Sequence, residues 1–166
     1  MPVTQQQKQQ RVKQRKITEY GIQLQEKQKT RNSYGMREAQ FRRYFNAATK
    51  FRGQTGMILL QTLERRLDNV LFRAGLVKTR RQARQLLSHR HFTHNGHRVS
   101  IASVLVKEGD IIAPYKAGSI EINTDITPAD WLKVDKTGHT TVKRLPKDTE
   151  LPIEFDTQKI IEFYSR

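Results

Sequence analysis

The dipeptide Asn95-Gly96 is the tightest local constraint in the chain. It lies between Phe92-Thr93-His94 and His97-Arg98-Val99. Asn-Gly supplies the two positive φ angles of a two-residue type I′ hairpin turn. A loop of that length sets the register: Phe92 opposite Val99, Thr93 opposite Arg98, His94 opposite His97. Phe92 and Val99 then reach a core, while Thr93 and Arg98 face the other way. Val104-Leu105-Val106 and Ile111-Ile112 flank the turn Glu108-Gly109-Asp110. They read as further strands of a small curved sheet.

Two helices are expected before the hairpin. Leu60, Leu63, Leu67, Val70, Leu71 and Ala74 recur at helical spacing and predict one helix through that stretch. Arg65, Arg66, Asp68, Asn69 and Arg73 fall outside its apolar stripe. Thr79-Arg80-Arg81-Gln82 fits a capping box and opens a second helix, with Ala83, Leu86 and Leu87 turned inward. Lys78, Arg80 and Arg81 crowd the start of that helix, where the macrodipole is already positive. The placement makes sense if a phosphate sits there, met by backbone N–H groups and basic side chains together. Arg84 shares a face with Arg80. From Arg65 to Arg98 there are nine Lys/Arg and one acid, Asp68, which is read as orienting an arginine, with Arg65 and Arg84 near it.

The net charge of +15 is segregated along the 166 residues. Residues 1–53 carry a net +10, residues 54–100 a net +7, and residues 101–166 a net −2. A charge that serves only solubility need not segregate; a surface for a polyanion should. There are no cysteines, hence no disulfide and no thiolate metal site. No apolar run approaches the ~20 residues of a membrane span. His89, His91, His94 and His97 lack a cysteine partner and have no acid close in sequence to orient an imidazole, so no metal is expected. No Ser-His-Asp arrangement, phosphate-binding P-loop or dinucleotide fingerprint occurs, so no catalytic residues and no cofactor are expected.

In chain order, residues 1–16 lack apolar periodicity and read as a flexible basic arm. Thr18 to Asn32 reads as a helix capped by Thr18, followed by a turn at Asn32-Ser33-Tyr34-Gly35. Met36 to Lys50 reads as a second helix, with Phe41, Tyr44, Phe45 and Ala48 toward a core and Arg42 and Arg43 toward other faces. Phe51 to Gly56 is a loop.

Several strings here resemble one family. Arg66-Leu67-Asp68, Arg73-Ala74-Gly75, Thr79-Arg80, Ala83-Arg84-Gln85-Leu86 and Asn95-Gly96 resemble the helix-helix-hairpin RNA-binding module named after small-subunit ribosomal protein four. Tyr20-Gly21, Glu26-Lys27-Gln28-Lys29, Tyr34-Gly35 and Gln40-Phe41-Arg42-Arg43-Tyr44-Phe45 resemble the helical first domain of that protein. Trp131-Leu132-Lys133-Val134-Asp135 and Ile160-Ile161-Glu162-Phe163-Tyr164-Ser165-Arg166 resemble its closing segment.

The resemblance implies an α+β fold: a helical first domain and an inserted helix-helix-hairpin module with a small sheet. The expected division is an arm at 1–16, a helical rRNA-binding domain at 17–61, the module at 62–127, and a segment at 128–166 returning to the helical domain. It implies a cytoplasmic, ribosome-bound protein, neither membrane-bound nor homo-oligomeric. Its partners would be a multi-helix junction of small-subunit rRNA, neighbouring small-subunit proteins, and mRNA at the entry channel, with a role in nucleating assembly. Arg42, Arg43, Arg66, Arg73, Lys78, Arg80, Arg81, Arg84 and Arg98 are the expected RNA contacts; Lys13, Arg15 and Lys16 match basic residues facing the channel by charge.

Three departures stand out. No residues here match the opening region that carries zinc ligands in some members, and without cysteines no metal is expected from the resemblance. Arg90 stands where the module often has glycine, and His94 where it often has an aliphatic residue. Residues 116–127 are shorter than the family's usual helical segment and, with Ile120 and Ile122 alternating, read as strand or loop. Two other readings remain at this point: a module anchoring an RNA-modifying or tRNA-charging enzyme, and a stand-alone nucleic-acid-binding module.

Overall fold

The computed structural model describes residues 17–122 and 125–166. Among the described residues, six α-helices and five short strands divide between two packed units, α1–α3 with α6 and α4–α5 with the strands. Helix α1 (Glu19–Ser33) opens at Thr18, whose hydroxyl accepts the Gly21 N–H at 3.2 Å, the cap read from sequence. Its buried residues are Gln23, Lys27 and Thr30, so it docks through polar contacts rather than an apolar stripe. Helix α2 (Glu38–Ala48) buries Phe41, Phe45 and Ala48 on one face. They pack against Leu59, Leu60 and Leu63 of α3 (Thr55–Glu64) and Ile160 of α6 (Thr157–Tyr164). Gly56 sits where α3 meets α6: a Cβ there would stand 2.5 Å from the Thr157 hydroxyl oxygen, inside contact distance.

The predicted continuous helix through residues 60–74 is two helices. The apolar stripe runs on, but the backbone breaks at Arg65-Arg66 between α3 and α4 (Leu67–Arg73). Arg66 bridges to Leu105, and the N–H groups of Leu67 and Asp68 donate to the carbonyls of Val104 and Ala102. Residues 104–106 are thereby spent on capping α4 and form no strand of their own. Helix α5 (Arg80–Ser88) starts at Thr79, whose hydroxyl accepts the Gln82 N–H at 3.0 Å, while the side-chain Oε1 of Gln82 accepts the Lys78 N–H at 2.8 Å.

The hairpin β1 (Phe92–His94) and β2 (His97–Val99) has the expected register, with Asn95 at φ 51° and Gly96 at φ 83°. Strand β3 (Ile111–Pro114) pairs with β1. Two further strands, β4 (Leu132–Val134) and β5 (Thr140–Val142), lie beyond residue 127. These complete an antiparallel sheet of order β2-β1-β3-β5-β4. Trp131, Leu132 and Val142 belong to the same core as Leu67, Leu71, Leu87, Phe92 and Ile112. Of the segment expected to return, only the part after Val142 reaches the helical unit, through Leu151, Phe155 and α6. The described residues of 116–127 form turns and coil, with Ile120 and Ile122 packed on the module core. Among the described residues no helix is long and apolar enough to cross a bilayer.

Candidate nucleic-acid interface

The basic residues divide according to what the fold puts beside them. Two carboxylates lie buried where the units meet. Glu64, at the end of α3, accepts from Arg73 Nε and Nη2 at 2.9 and 3.0 Å, Asn69 Nδ2 at 2.9 Å and the Tyr34 hydroxyl at 2.5 Å. Asp68, in the first turn of α4, accepts from Arg66 Nε and Nη2 at 3.1 and 2.9 Å, Arg84 Nε at 2.7 Å and the Asn69 N–H at 2.8 Å. Arg80 donates to Asn69 Oδ1 at 2.7 Å and to the Ser33 carbonyl at 3.2 Å, with its guanidinium over the rings of Tyr34 and Phe72. The Arg84 guanidinium also donates to the carbonyls of Tyr34 and Gly35.

Burial alone would raise the Glu64 carboxyl. The paired donors and charge of Arg73, with Tyr34 and Asn69, outweigh it and hold it below the ordinary carboxylate range. Burial and the neighbouring Glu64 push the Tyr34 hydroxyl up, so it stays a donor. Desolvation lowers Arg80 from the usual guanidinium range, with the charge of Arg73 adding to the effect.

This seam takes four of the arginines that the sequence marks for RNA. Arg66 is 3% exposed and also donates to the Tyr44 hydroxyl at 2.9 Å; its place is internal, bracing α4 against α2 across the helix break. Arg73, Arg80 and Arg84 are half-buried, each with one edge spent on the seam. The role expected for Asp68 in orienting an arginine matches what it does for Arg66 and Arg84. Arg65 instead donates to the Val106 carbonyl at 3.0 Å. Glu64, Tyr34 and Asn69 were not singled out from sequence. The only signal was Glu64 itself, an acid at the edge of a basic run, and the partners that give it meaning lie about 30 residues back in Tyr34 and one helix on.

Arg42, Arg43, Lys78, Arg81 and Arg98 are exposed. Arg43 lines a cleft with Tyr44 and Ser103, on the line where α2 approaches the α4 cap. Lys78 and Arg81 line a second cleft with Arg80, Arg84, Asn32, Ser33 and Gly35. That cleft is the start of α5 faced by the α1–α2 turn, the place where a phosphate was expected. Both clefts border the seam. Lys13, Arg15 and Lys16 lie outside the described residues.

In the hairpin, His94 has an acid after all: Asp110, sixteen residues on, places Oδ2 2.8 Å from His94 Nε2 and accepts from Asn95 Nδ2 at 2.9 Å. Partial burial would raise the Asp110 carboxyl, but Asn95, the Lys107 N–H and His94 outweigh it and lower it. His89 and His91 flank Arg90 with ring centroids 6.3 Å apart. Among the described residues, no three His, Cys, Asp or Glu side chains gather as a metal-ion site.

Comparison with known proteins gives two family matches in tandem. Residues 2–64 match the ribosomal protein S4/S9 N-terminal domain, and residues 65–112 match the S4 domain. The two meet at the backbone break between α3 and α4. The chain is 48% identical to the small ribosomal subunit protein uS4 of Persephonella marina, over 90% of this chain and 78% of that one. It is 44% identical to the uS4 protein of Herpetosiphon aurantiacus, over 93% and 79%. To the uS4A protein of Symbiobacterium thermophilum it is 47% identical, over 92% and 77%.

Proposed function

The chain belongs to the small ribosomal subunit protein uS4 family, and from that premise we propose that it binds 16S rRNA directly, at a junction of several helices. Membership makes it a structural component of the small ribosomal subunit and not an enzyme. The finer reading is that it seats early, nucleates assembly around that junction, contacts neighbouring small-subunit proteins, and lies near the mRNA entry channel in the cytoplasmic ribosome. The division into a helical unit and an inserted module belongs to the same proposal, with the module extended to about residue 142.

The observation that carries this reading is the pair of basic clefts bordering a rigid seam. Arg43 on one and Lys78 with Arg81 on the other are exposed, while the ion pairs of Glu64 and Asp68 hold α3, α4 and α5 in one geometry and Arg66 ties them to Tyr44 of α2. Phosphate contacts supply affinity, and the fixed spacing of the two charged clefts selects a folded junction over a plain duplex. The contact set is then Arg42, Arg43, Lys78, Arg81 and Arg98, with the free edges of Arg73, Arg80 and Arg84; Arg66 is withdrawn from it.

The test is competition binding with a salt titration. The labelled ligand is the 5′ domain of 16S rRNA, and tRNA and duplex DNA are the competitors. Preference for the rRNA fragment at near-physiological salt is expected, with a log–log salt slope of about −4 to −5 for roughly six phosphate contacts. Arg81→Ala should reduce that slope by about one. Equal affinity for all three ligands would overturn the reading.

A further inference from the structure

Arg98 is held unlike the seam arginines. Its guanidinium carbon lies 3.9 Å from the centroid of the Tyr115 ring. Its Nε and Nη2 donate to the Arg90 carbonyl at 3.3 and 3.1 Å. The Tyr115 N–H in turn donates to the His91 carbonyl at 2.7 Å. Arg90 carries that accepting carbonyl at φ 58°, the left-handed region that a β-carbon disfavours.

The sheet explains the stack. Arg98 pairs with Thr93, and Thr93 with Ala113. Arg98, Thr93, Ala113 and Tyr115 therefore share the face opposite the core, since side chains alternate along each strand. Both partners of the stack remain open: Arg98 is exposed, and Tyr115 is 47% exposed. A guanidinium with one face on a ring and an edge pinned by a carbonyl is planar and pre-ordered, so little rotamer freedom remains to be lost on binding.

We propose that Arg98 and Tyr115 form a stacking platform for an unpaired nucleobase of the bound RNA, distinct from the phosphate-binding clefts along the seam. The proposal rests on the chain being an rRNA binder. A flat cation on an aromatic ring matches the π-face of a base and is tolerant of base identity. A phosphate takes an arginine through a planar fork of N–H donors, and the Nε–Nη2 fork of Arg98 is already given to the Arg90 carbonyl, so the outer flat face is the larger surface left to a ligand. The partner is therefore a splayed single-stranded nucleotide, in a loop or bulge beside the region that the seam grips.

The test separates charge from stacking in the full chain. Arg98→Lys keeps the cation and removes the plane; Tyr115→Leu keeps bulk and removes the ring; Tyr115→Phe keeps the ring. Affinity for the 5′-domain rRNA fragment is measured across salt, with circular dichroism to check each fold. Arg98→Lys and Tyr115→Leu are each expected to weaken binding about tenfold with the salt slope unchanged. Their combination should weaken it little further, and Tyr115→Phe should bind like the parent. Full rescue by lysine, or a loss confined to the salt slope, would overturn the platform and leave Arg98 a phosphate contact. Unchanged affinity in Tyr115→Leu would do the same. Neither result touches the rRNA-binding reading, which falls only if the parent chain itself fails to prefer the rRNA fragment.

Discussion

The seam and the outer face of the sheet both carry arginines, and the two regions use them in opposite ways. At the seam, Arg66, Arg73, Arg80 and Arg84 converge on Glu64, Asp68 and Asn69; Arg66 is spent wholly inside the molecule and the other three give up one edge each. At the sheet, Arg98 is fixed by a carbonyl and a ring, so its charge and one flat face stay with solvent. Net charge on a stretch of sequence therefore measures two quantities at once. One is glue between elements, the other is what a polyanion meets. Buried pairs of this kind are poor sources of net stability, yet they are costly to break and specify geometry well.

The sharpest way to break the contrast is to remove one carboxylate. Asp68→Ala leaves the Arg66 guanidinium buried without its partner and should cost about 3–5 kcal/mol of unfolding free energy. In the same denaturant titration, Arg98→Ala should cost only about 0.5–1 kcal/mol, the worth of an exposed cation–π contact. Similar losses in the two variants would mean that the seam is no more structural than the sheet surface.

Acid offers a gentler probe of the seam. The Glu64 carboxyl is held below its ordinary value of 4.5. Its contribution is therefore complete above that pH and fades as pH falls through the lowered folded value. Unfolding midpoints of the parent and of Glu64→Gln should differ most at neutral pH and converge on acidification. A gap that stays constant down to pH 3 would show that Glu64 is not the group titrating.

The smallest expected effect lies at the base of the hairpin. Arg90 sits at φ 58°, a conformation that costs a residue with a β-carbon about 1 kcal/mol. Arg90→Gly should therefore gain roughly 0.5–1 kcal/mol in thermal or denaturant stability. It leaves the carbonyl that holds Arg98 in place. A loss of stability instead would show that the Arg90 side chain supports the fold.

What could be read from the chain was local. Thr18 capping α1, Thr79 capping α5 and the register of the Asn95-Gly96 hairpin each depend on residues within a few positions, and each was found as expected. The break at Arg65-Arg66 was not legible, because the apolar stripe continues across it. What ends α3 is pairing with residues 102–105, far along the chain. The burial of Arg66 was hidden for the same reason, and the His94–Asp110 pair likewise spans sixteen residues. The family's strings placed Trp131 in a returning tail. In the fold it lies in the core of the module, which only the pairing of β5 with β3 makes plain.

The polar docking of α1 has a consequence for the order in which the molecule takes shape as it is synthesised. Lys27 of α1 lies over the Phe163 ring, and Gln23 lies between Glu162 and Arg166. All three partners leave the exit tunnel after the whole sheet has emerged. During translation α1 can pair with Glu38 of α2 but still lacks its α6 partners, while α4, α5 and the five strands can already close around their own core. A nascent chain of this kind closes its sheet over the module core before its helical unit is finished.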